Sequence, residues 1–286
     1  MTRSEASVAR IPALLASLAL VALLAPLPGR SDAAPPAAAP AAAPNAAVPP
    51  PADIDAESEP VVRALTDAMG GQATWDGLPN FRFDFVVVRD GQESARYKHW
   101  WDKRRGRCRV EGTDGKGRQV VAIFNLSDRK GIAFADGVGE TDPARAAEIL
   151  EFGYERWVND TYWVMMPFKL RDPGVRLRYA RPERTTEGEY DVLELSFVKG
   201  TGLTSDDRYW LHVNRTTRLI DRWEYVLTGR QPPPQAVSWE AWSRVGPISL
   251  SLQRRVAGRP QMIRFENVAT PATFDETVFT YSSVRN

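Results

Sequence analysis

The chain has 286 residues, of which 43% are hydrophobic and 26% are charged, and its 37 basic residues almost balance its 36 acidic ones. A leader with three basic and two acidic residues accounts for the small excess and leaves 34 of each sign, so no net field attracts nucleic acid. The single cysteine excludes an internal disulfide, and a hydrophobic core must therefore stabilise the fold.

Residues 1–33 are typical of a secretory signal peptide. Arg3 and Arg10 precede an apolar run that extends from Ile11 to Leu27, and Ser31-Asp32-Ala33 offers a cleavage site. Residues 34–55 are rich in Ala and Pro, which predicts a disordered linker, and residues 56–286 fit one domain. We therefore expect an exported, periplasmic protein, with an uncleaved N-terminal membrane anchor as the alternative.

The first half of the domain opens with a short helix and continues with strands. The helix is predicted over 59–69, where apolar residues recur at helical spacing and Gly70-Gly71 supplies the stop. Residues 81–112 alternate with period two and predict three strands joined by turns at Asp90-Gly91 and at 103–106. Two further strands are predicted at 118–126 and 131–137.

A second helix, predicted from Asp142 to Asn159, interrupts the strands. Thr141 or Asp142 can cap it, and Pro143 suits its first turn. Seven predicted strands follow, namely 175–183, 189–198, 206–214, 218–227, 236–245, 248–258 and 261–269. Their short connections indicate antiparallel neighbours.

The predicted fold class is α+β and mostly β. About 11 to 12 strands are too many for a flat open sheet, so we expect a large curled antiparallel sheet, a half-open barrel, with two or three helices covering its concave face. The alternation supports one apolar face and one wet face. The apolar face carries Leu219, Trp223, Tyr225 and Leu227 in one strand and Ile248, Leu250 and Leu252 in another, whereas Ser249, Ser251, Gln253 and Arg255 lie on the wet face.

The run "NDTYWVMMPFKLRDPGV", residues 159–175, is the strongest candidate for a site. Its apolar part is nearly unbroken, which predicts burial on both sides, and methionines beside aromatic rings suit a surface that adapts to apolar partners. The bland alternative is ordinary core under a bent sheet. The candidate walls of an apolar cavity are Trp157, Tyr162, Trp163, Met165, Met166 and Phe168, with Trp101, Trp210 and Trp223 on the sheet, and the candidate polar rim consists of Asp160, Lys169 and Asp172.

Residues with catalytic potential are few. His99 and His212 lie on predicted strands without metal-ligand spacing, and neither a nucleophile elbow nor a phosphate-binding loop occurs. Asp160 with Asp172 could act as an acid–base pair, which is the basis of a hydrolase-type alternative. We expect no cofactor, no metal site and no catalytic residue.

The segment 159–175, followed by "DVLELSF" and "DDRYWLHVNRTTRLIDRWEY", resembles an uncharacterised group of exported bacterial proteins. That group is related to the LolA/LolB-like periplasmic lipoprotein carriers, and the similarity extends over residues 61–280. The resemblance implies a half-open antiparallel barrel whose concave face is covered by helices and binds acyl chains.

Three functional hypotheses follow from the sequence. The first is a non-catalytic periplasmic binding or carrier protein for lipid, lipoprotein acyl chains or another apolar ligand. The second is a structural or assembly protein of the cell envelope that covers its apolar surface with a protein partner. The third is the hydrolase-type enzyme that uses Asp160 and Asp172.

Overall fold

The computed structural model describes residues 49–201, 205–230 and 232–280. The predicted signal peptide and most of the predicted linker therefore lie outside the described residues. Asp53 and Ile54, which the prediction assigned to the linker, form a short strand that pairs in parallel with the segment at 176–177. The folded chain thus begins ahead of position 56.

The described residues contain three α-helices and two 3-10 helices. α1 spans Ser58–Ala68, α2 spans Gln72–Gly77 and α3 spans Pro143–Met165, while two 3-10 helices span Met166–Lys169 and Glu276–Phe279. Of the two predicted caps, Asp142 is the one that caps α3, because its side chain accepts hydrogen bonds from the backbone N–H groups of Ala144 and Arg145. α1 agrees with the predicted first helix, and α2 was not predicted.

The described residues contain fifteen strands, three more than the sequence predicted. Their bounds are β1 Asp53–Ile54, β2 Asn80–Arg89, β3 Gln92–Asp102, β4 Arg107–Thr113, β5 Gln119–Asn125, β6 Gly131–Ala135, β7 Val138–Gly139, β8 Val175–Arg184, β9 Glu189–Phe197, β10 Arg208–Asn214, β11 Ile220–Val226, β12 Gln235–Ser238, β13 Glu240–Val245, β14 Ile248–Arg255 and β15 Gln261–Ala269. β1 and β7 are new. β12 and β13 were predicted as one strand, and a break at Trp239 divides them.

The strands form two hydrogen-bonded sections that lie side by side. The six-stranded section has the order β1-β8-β9-β10-β11-β12, and the nine-stranded section has the order β13-β14-β15-β2-β3-β4-β5-β6-β7. A bridge between Val237 and Val256 connects them. Every strand pairing except β1 with β8 is antiparallel, and the sheet does not close into a barrel. The predicted fold class, a large curled antiparallel sheet with helices on its concave face, is confirmed.

The predicted end of the long helix is wrong. α3 continues past Asn159 to Met165, through residues that have low intrinsic helix propensity. Two of these residues have polar partners inside the helix, since the Thr161 hydroxyl donates to the Trp157 carbonyl at 2.7 Å and Asp160 accepts from Arg156 one turn earlier. The second half of α3 and the apolar run of the candidate site are therefore the same element.

The predicted alternation holds in outline, but Leu219, Leu227 and Leu252, which were predicted to lie on the apolar face, are only half-buried. Ile220 takes the buried position that was predicted for Leu219, because the β10–β11 register shifts beside His212 and Val213. Ser251, predicted to lie on the wet face of β14, is fully buried, and its hydroxyl donates to the backbone carbonyl of Glu240 in β13 at 2.5 Å. The concave face of β14 continues from Leu250 to Arg254, which is also fully buried.

Candidate functional site

The apolar run of α3 and the following 3-10 helix lies in the centre of the core. We call these residues the α3 cluster. Each is between 0% and 3% exposed, so the predicted burial of this segment on both sides is confirmed. The α3 cluster consists of Trp157, Tyr162, Trp163, Met165, Met166 and Phe168.

Aromatic rings of the α3 cluster contact tryptophan rings of the sheet. The ring of Trp163 meets that of Trp223 edge-on at a centroid distance of 4.8 Å, and Tyr162 lies 6.4 Å from the same ring. Trp101 of β3 meets Trp157 edge-on at 5.1 Å. The structure thus brings two of the three candidate sheet tryptophans to α3.

The third candidate, Trp210, lies elsewhere. Its neighbours Tyr209 and Leu211 are fully buried, so Trp210 points to the opposite face of β10. There it is half-buried, and the Arg208 guanidinium stands 5.2 Å from its ring centroid. Trp210 is therefore separate from the α3 cluster.

Asp160 is not at a rim, because its side chain is fully buried. His99 Nε2 lies 2.7 Å from Asp160 Oδ2, and the Asn159 amide donates to Oδ1 at 2.8 Å. The Nε and Nη2 groups of Arg156 also donate to the Asp160 carboxylate. This buried network joins α3 to β3 and stacks the His99 ring on Phe83 at 4.5 Å.

The other two rim candidates form their own pair. Lys169 Nζ lies 2.7 Å from Asp172 Oδ2, and both side chains are partly exposed. Asp160 and Asp172 therefore have different partners in different surroundings. In the described residues no group of three or more His, Cys, Asp or Glu side chains could hold a metal ion.

Lys103 is a buried cation that the sequence analysis did not single out. Its ammonium lies 3.8 Å from the ring centroid of Trp75 and donates to the Trp75 backbone carbonyl. It forms no salt bridge in the part of the chain that the structure describes. Burial lowers the pKa of Lys103 from its ordinary 10.5 to about 8, an effect that nearby Asp76 opposes and Lys169 reinforces.

This shift makes stability depend on pH in a defined direction. Between pH 10.5 and 8 the unfolded chain holds the Lys103 proton and the folded protein does not, so stability falls as the pH falls through this window. We expect Lys103→Met to gain stability relative to the wild type as the pH is lowered from 10.5 to 7, by at most about 3 kcal/mol. Urea unfolding of both proteins at the two pH values measures it. A difference that does not change with pH would contradict the buried position of the amine.

Arg254 is another buried cation, and its exposed fraction is 0%. One guanidinium nitrogen donates to the Trp163 carbonyl in the last turn of α3 at 2.8 Å, and the group stacks 3.5 Å above the Trp239 ring. A charged residue in a strand usually indicates the wet face. The only sequence signal for Arg254 is its position in phase with Ile248 and Leu250.

No helix in the described part of the chain is long and apolar enough to span a membrane.

The chain matches no protein-family model and no curated protein sequence. Among solved structures, it is similar to a DUF1329 family protein of Desulfovibrio piger, with 14% identity, a TM-score of 0.46, and coverage of 77% of this chain and 98% of that chain. It is also similar to a LolA superfamily protein of Nitrosomonas europaea, with 10% identity, a TM-score of 0.45, and coverage of 78% and 97%. The second protein belongs to the superfamily that the sequence resemblance names.

Proposed function

We propose that the protein is a non-catalytic periplasmic binding or carrier protein for a lipid, an acyl chain or another apolar ligand. The observation that carries this proposal is the composition of the interface between α3 and the sheet. Aromatic rings and methionine side chains make up much of this interface, and its closest ring contact joins Trp163 and Trp223 at 4.8 Å. The ligand would lie in this interface and replace these contacts with its own.

The open sheet supports the proposal. α3 is attached to the sheet through side chains, so its displacement would break no strand pairing. An acyl chain that enters would contribute about 0.8 kcal/mol for each methylene group removed from water, and this gain acts against the cost of separating α3 from the sheet. Methionine side chains at 165 and 166 can adopt several shapes at little cost and suit chains of different length.

A displacement assay tests the proposal. We expect the full-length protein, purified after export, to bind a fluorescent fatty-acid probe and to release it to unlabelled lipid, and mass spectrometry should detect lipid that copurifies. Trp157→Phe should weaken probe binding by about threefold to tenfold, since it removes apolar contact area. Trp210→Phe, the same change on the opposite face, is the matched control and should leave binding unaltered. A wild-type protein that carries no lipid and binds no probe would refute the proposal.

A second candidate function is assembly with an envelope protein. The observation that favours it is apolar exposure at the sheet edge, where Val138 of β7 is 70% exposed and Ile132 of β6 is 45% exposed. We expect a photo-crosslinking residue at Val138 to capture one protein in cells, while the same residue at Arg184, whose side chain is 79% exposed, captures none. Equal yields at both positions would argue against this partner surface.

A further inference from the structure

A buried positive charge without a carboxylate partner lies where α3 ends against the sheet. Among the residues that the structure describes, the Arg254 guanidinium bonds only to neutral oxygens, namely the carbonyls of Ser251, Gln253 and Trp163 and the hydroxyl of Ser251. In the described residues it forms no salt bridge. Glu240 is the acid that acts on it through space, but that carboxylate is bound by Ser238, Gln253 and Arg255.

Such a charge is costly in the free protein. Removal of a guanidinium from water without a counter-charge carries a large desolvation cost, and neutral carbonyls offset only part of it. Burial accordingly lowers the pKa of Arg254 well below its ordinary value. An anion at this place would remove the imbalance.

The surroundings of Arg254 are rich in hydrogen-bond donors that lack acceptors. In the described residues, the following buried atoms have no hydrogen-bond partner: Arg254 Nε, the indole Nε1 atoms of Trp163, Trp223 and Trp239, and the Tyr225 hydroxyl. Trp223 connects the group, since its ring lies 4.8 Å from Trp163, 5.7 Å from Trp239 and 6.2 Å from Tyr225. Buried indole N–H groups usually have a partner, and these three belong to rings that contact one another through Trp223.

We propose that Arg254, the three indoles and Tyr225 form a subsite for the oxyanion end, a carboxylate or a phosphate, of an amphiphile. We call this set the Arg254 subsite. Indole N–H and guanidinium groups only donate, and an oxyanion only accepts, so the two match in both charge and hydrogen bonding. The apolar chain of the same molecule would lie along the α3 cluster, which Trp163 shares with the subsite. The inference thus rests on the proposed function and names its ligand class.

Matched twelve-carbon probes test the subsite. Dodecanoate, dodecyl phosphate and dodecanol differ only in the end group, and their binding to the full-length protein can be measured by displacement of a neutral fluorescent probe. We expect at least one of the two anions to bind about tenfold or more tightly than the alcohol, as charge-assisted hydrogen bonds imply. The tighter of the two anions identifies the carboxylate or the phosphate source, and inorganic phosphate alone tests for a free ion.

Two variants locate the effect. Arg254→Met preserves the apolar stem, and we expect it to lower anion affinity to that of dodecanol while dodecanol binding changes by less than about threefold. Arg255→Met is the matched control on the next residue, whose side chain is 60% exposed, and it should retain the preference for the anion. Trp239→Phe keeps a ring beside Arg254 but lacks the N–H, and it should reduce anion affinity alone by a smaller factor, which tests the subsite even if Arg254→Met does not fold.

The outcomes distinguish a failure of the Arg254 subsite from a failure of the proposed carrier function. Equal binding of anions and alcohol by the wild type would overturn the Arg254 subsite and leave the carrier function intact. A preference for the anion that survives in both Arg254→Met and Trp239→Phe would also overturn it. If none of the three probes binds, the proposed function itself fails.

Discussion

Gly153→Ala is expected to destabilise the protein by about 3 kcal/mol or more, although alanine is the better helix former by about 1 kcal/mol. Gly153 lies in the middle of α3, where the helix approaches the sheet. A Cβ atom at this position would lie 2.3 Å from the Ala122 Cβ atom of β5 and 3.3 Å from the Phe124 ring. Because real carbon atoms do not approach so closely, α3 must move away from the sheet. Urea unfolding measures the loss.

A compensating change supplies the control. Ala122→Gly removes the atom that the new methyl group would strike, at a cost of about 1 kcal/mol for the lost methyl and the added backbone freedom. We expect the double variant Gly153→Ala with Ala122→Gly to be more stable than Gly153→Ala alone, which is a favourable coupling between neighbouring sites. If the double variant is the less stable of the two, the close approach of α3 to β5 is not the cause.

Asp160→Asn is expected to cost about 3 to 5 kcal/mol, because it leaves the Arg156 charge without its carboxylate in a buried place. The carboxylate is fully buried, the Arg156 side chain is 12% exposed, and His99 Nε2 lies 2.7 Å away. Asparagine has nearly the same shape, so the loss would reflect charge and hydrogen bonding instead of packing. Chemical denaturation under identical conditions gives the difference.

Asp172→Asn is the matched control, since the sequence offered both carboxylates for the same catalytic role. Asp172 pairs with Lys169 at 2.7 Å, the Asp172 side chain is 21% and the Lys169 side chain 14% exposed, and such a pair contributes up to about 1 kcal/mol. The two variants should therefore differ by several-fold in their effect on stability. Similar losses for both would show that Asp160 is solvated like Asp172.

The strands were predictable because their evidence is local. Period-two alternation and turn residues such as Asp90-Gly91, where both residues have positive φ, occur within a few positions of one another. β2 to β6 and β8 to β11 accordingly appear in the predicted order. The end of α3 was mispredicted because Asn159, Asp160 and Thr161 disfavour the interior of a helix. Their partners in the structure lie partly on β3, which the local sequence does not show.

The candidate site also has features that the sequence predicted and features that it did not. Burial of the α3 cluster followed from a nearly unbroken apolar run. The sequence did not indicate that Lys103, in the turn between β3 and β4, is buried, and its only signal for Arg254 was the phase of β14, since charged residues usually face water. Trp101, Trp210 and Trp223 were equal candidates in the sequence. Only the structure places Trp101 and Trp223 at α3 and Trp210 on the other face.

The sequence by itself determined the mostly β class, the succession of strands along the chain, most of the alternation between the two faces of the sheet and the apolar character of residues 162–168. Tertiary structure decided which strands meet across long separations, as where Phe265 of β15 pairs with Phe85 of β2. It also decided that Asp160 meets His99 and that Arg254 meets the end of α3. The physical reason is that alternation records which side of a strand avoids water, but it does not record which distant side chain lies opposite.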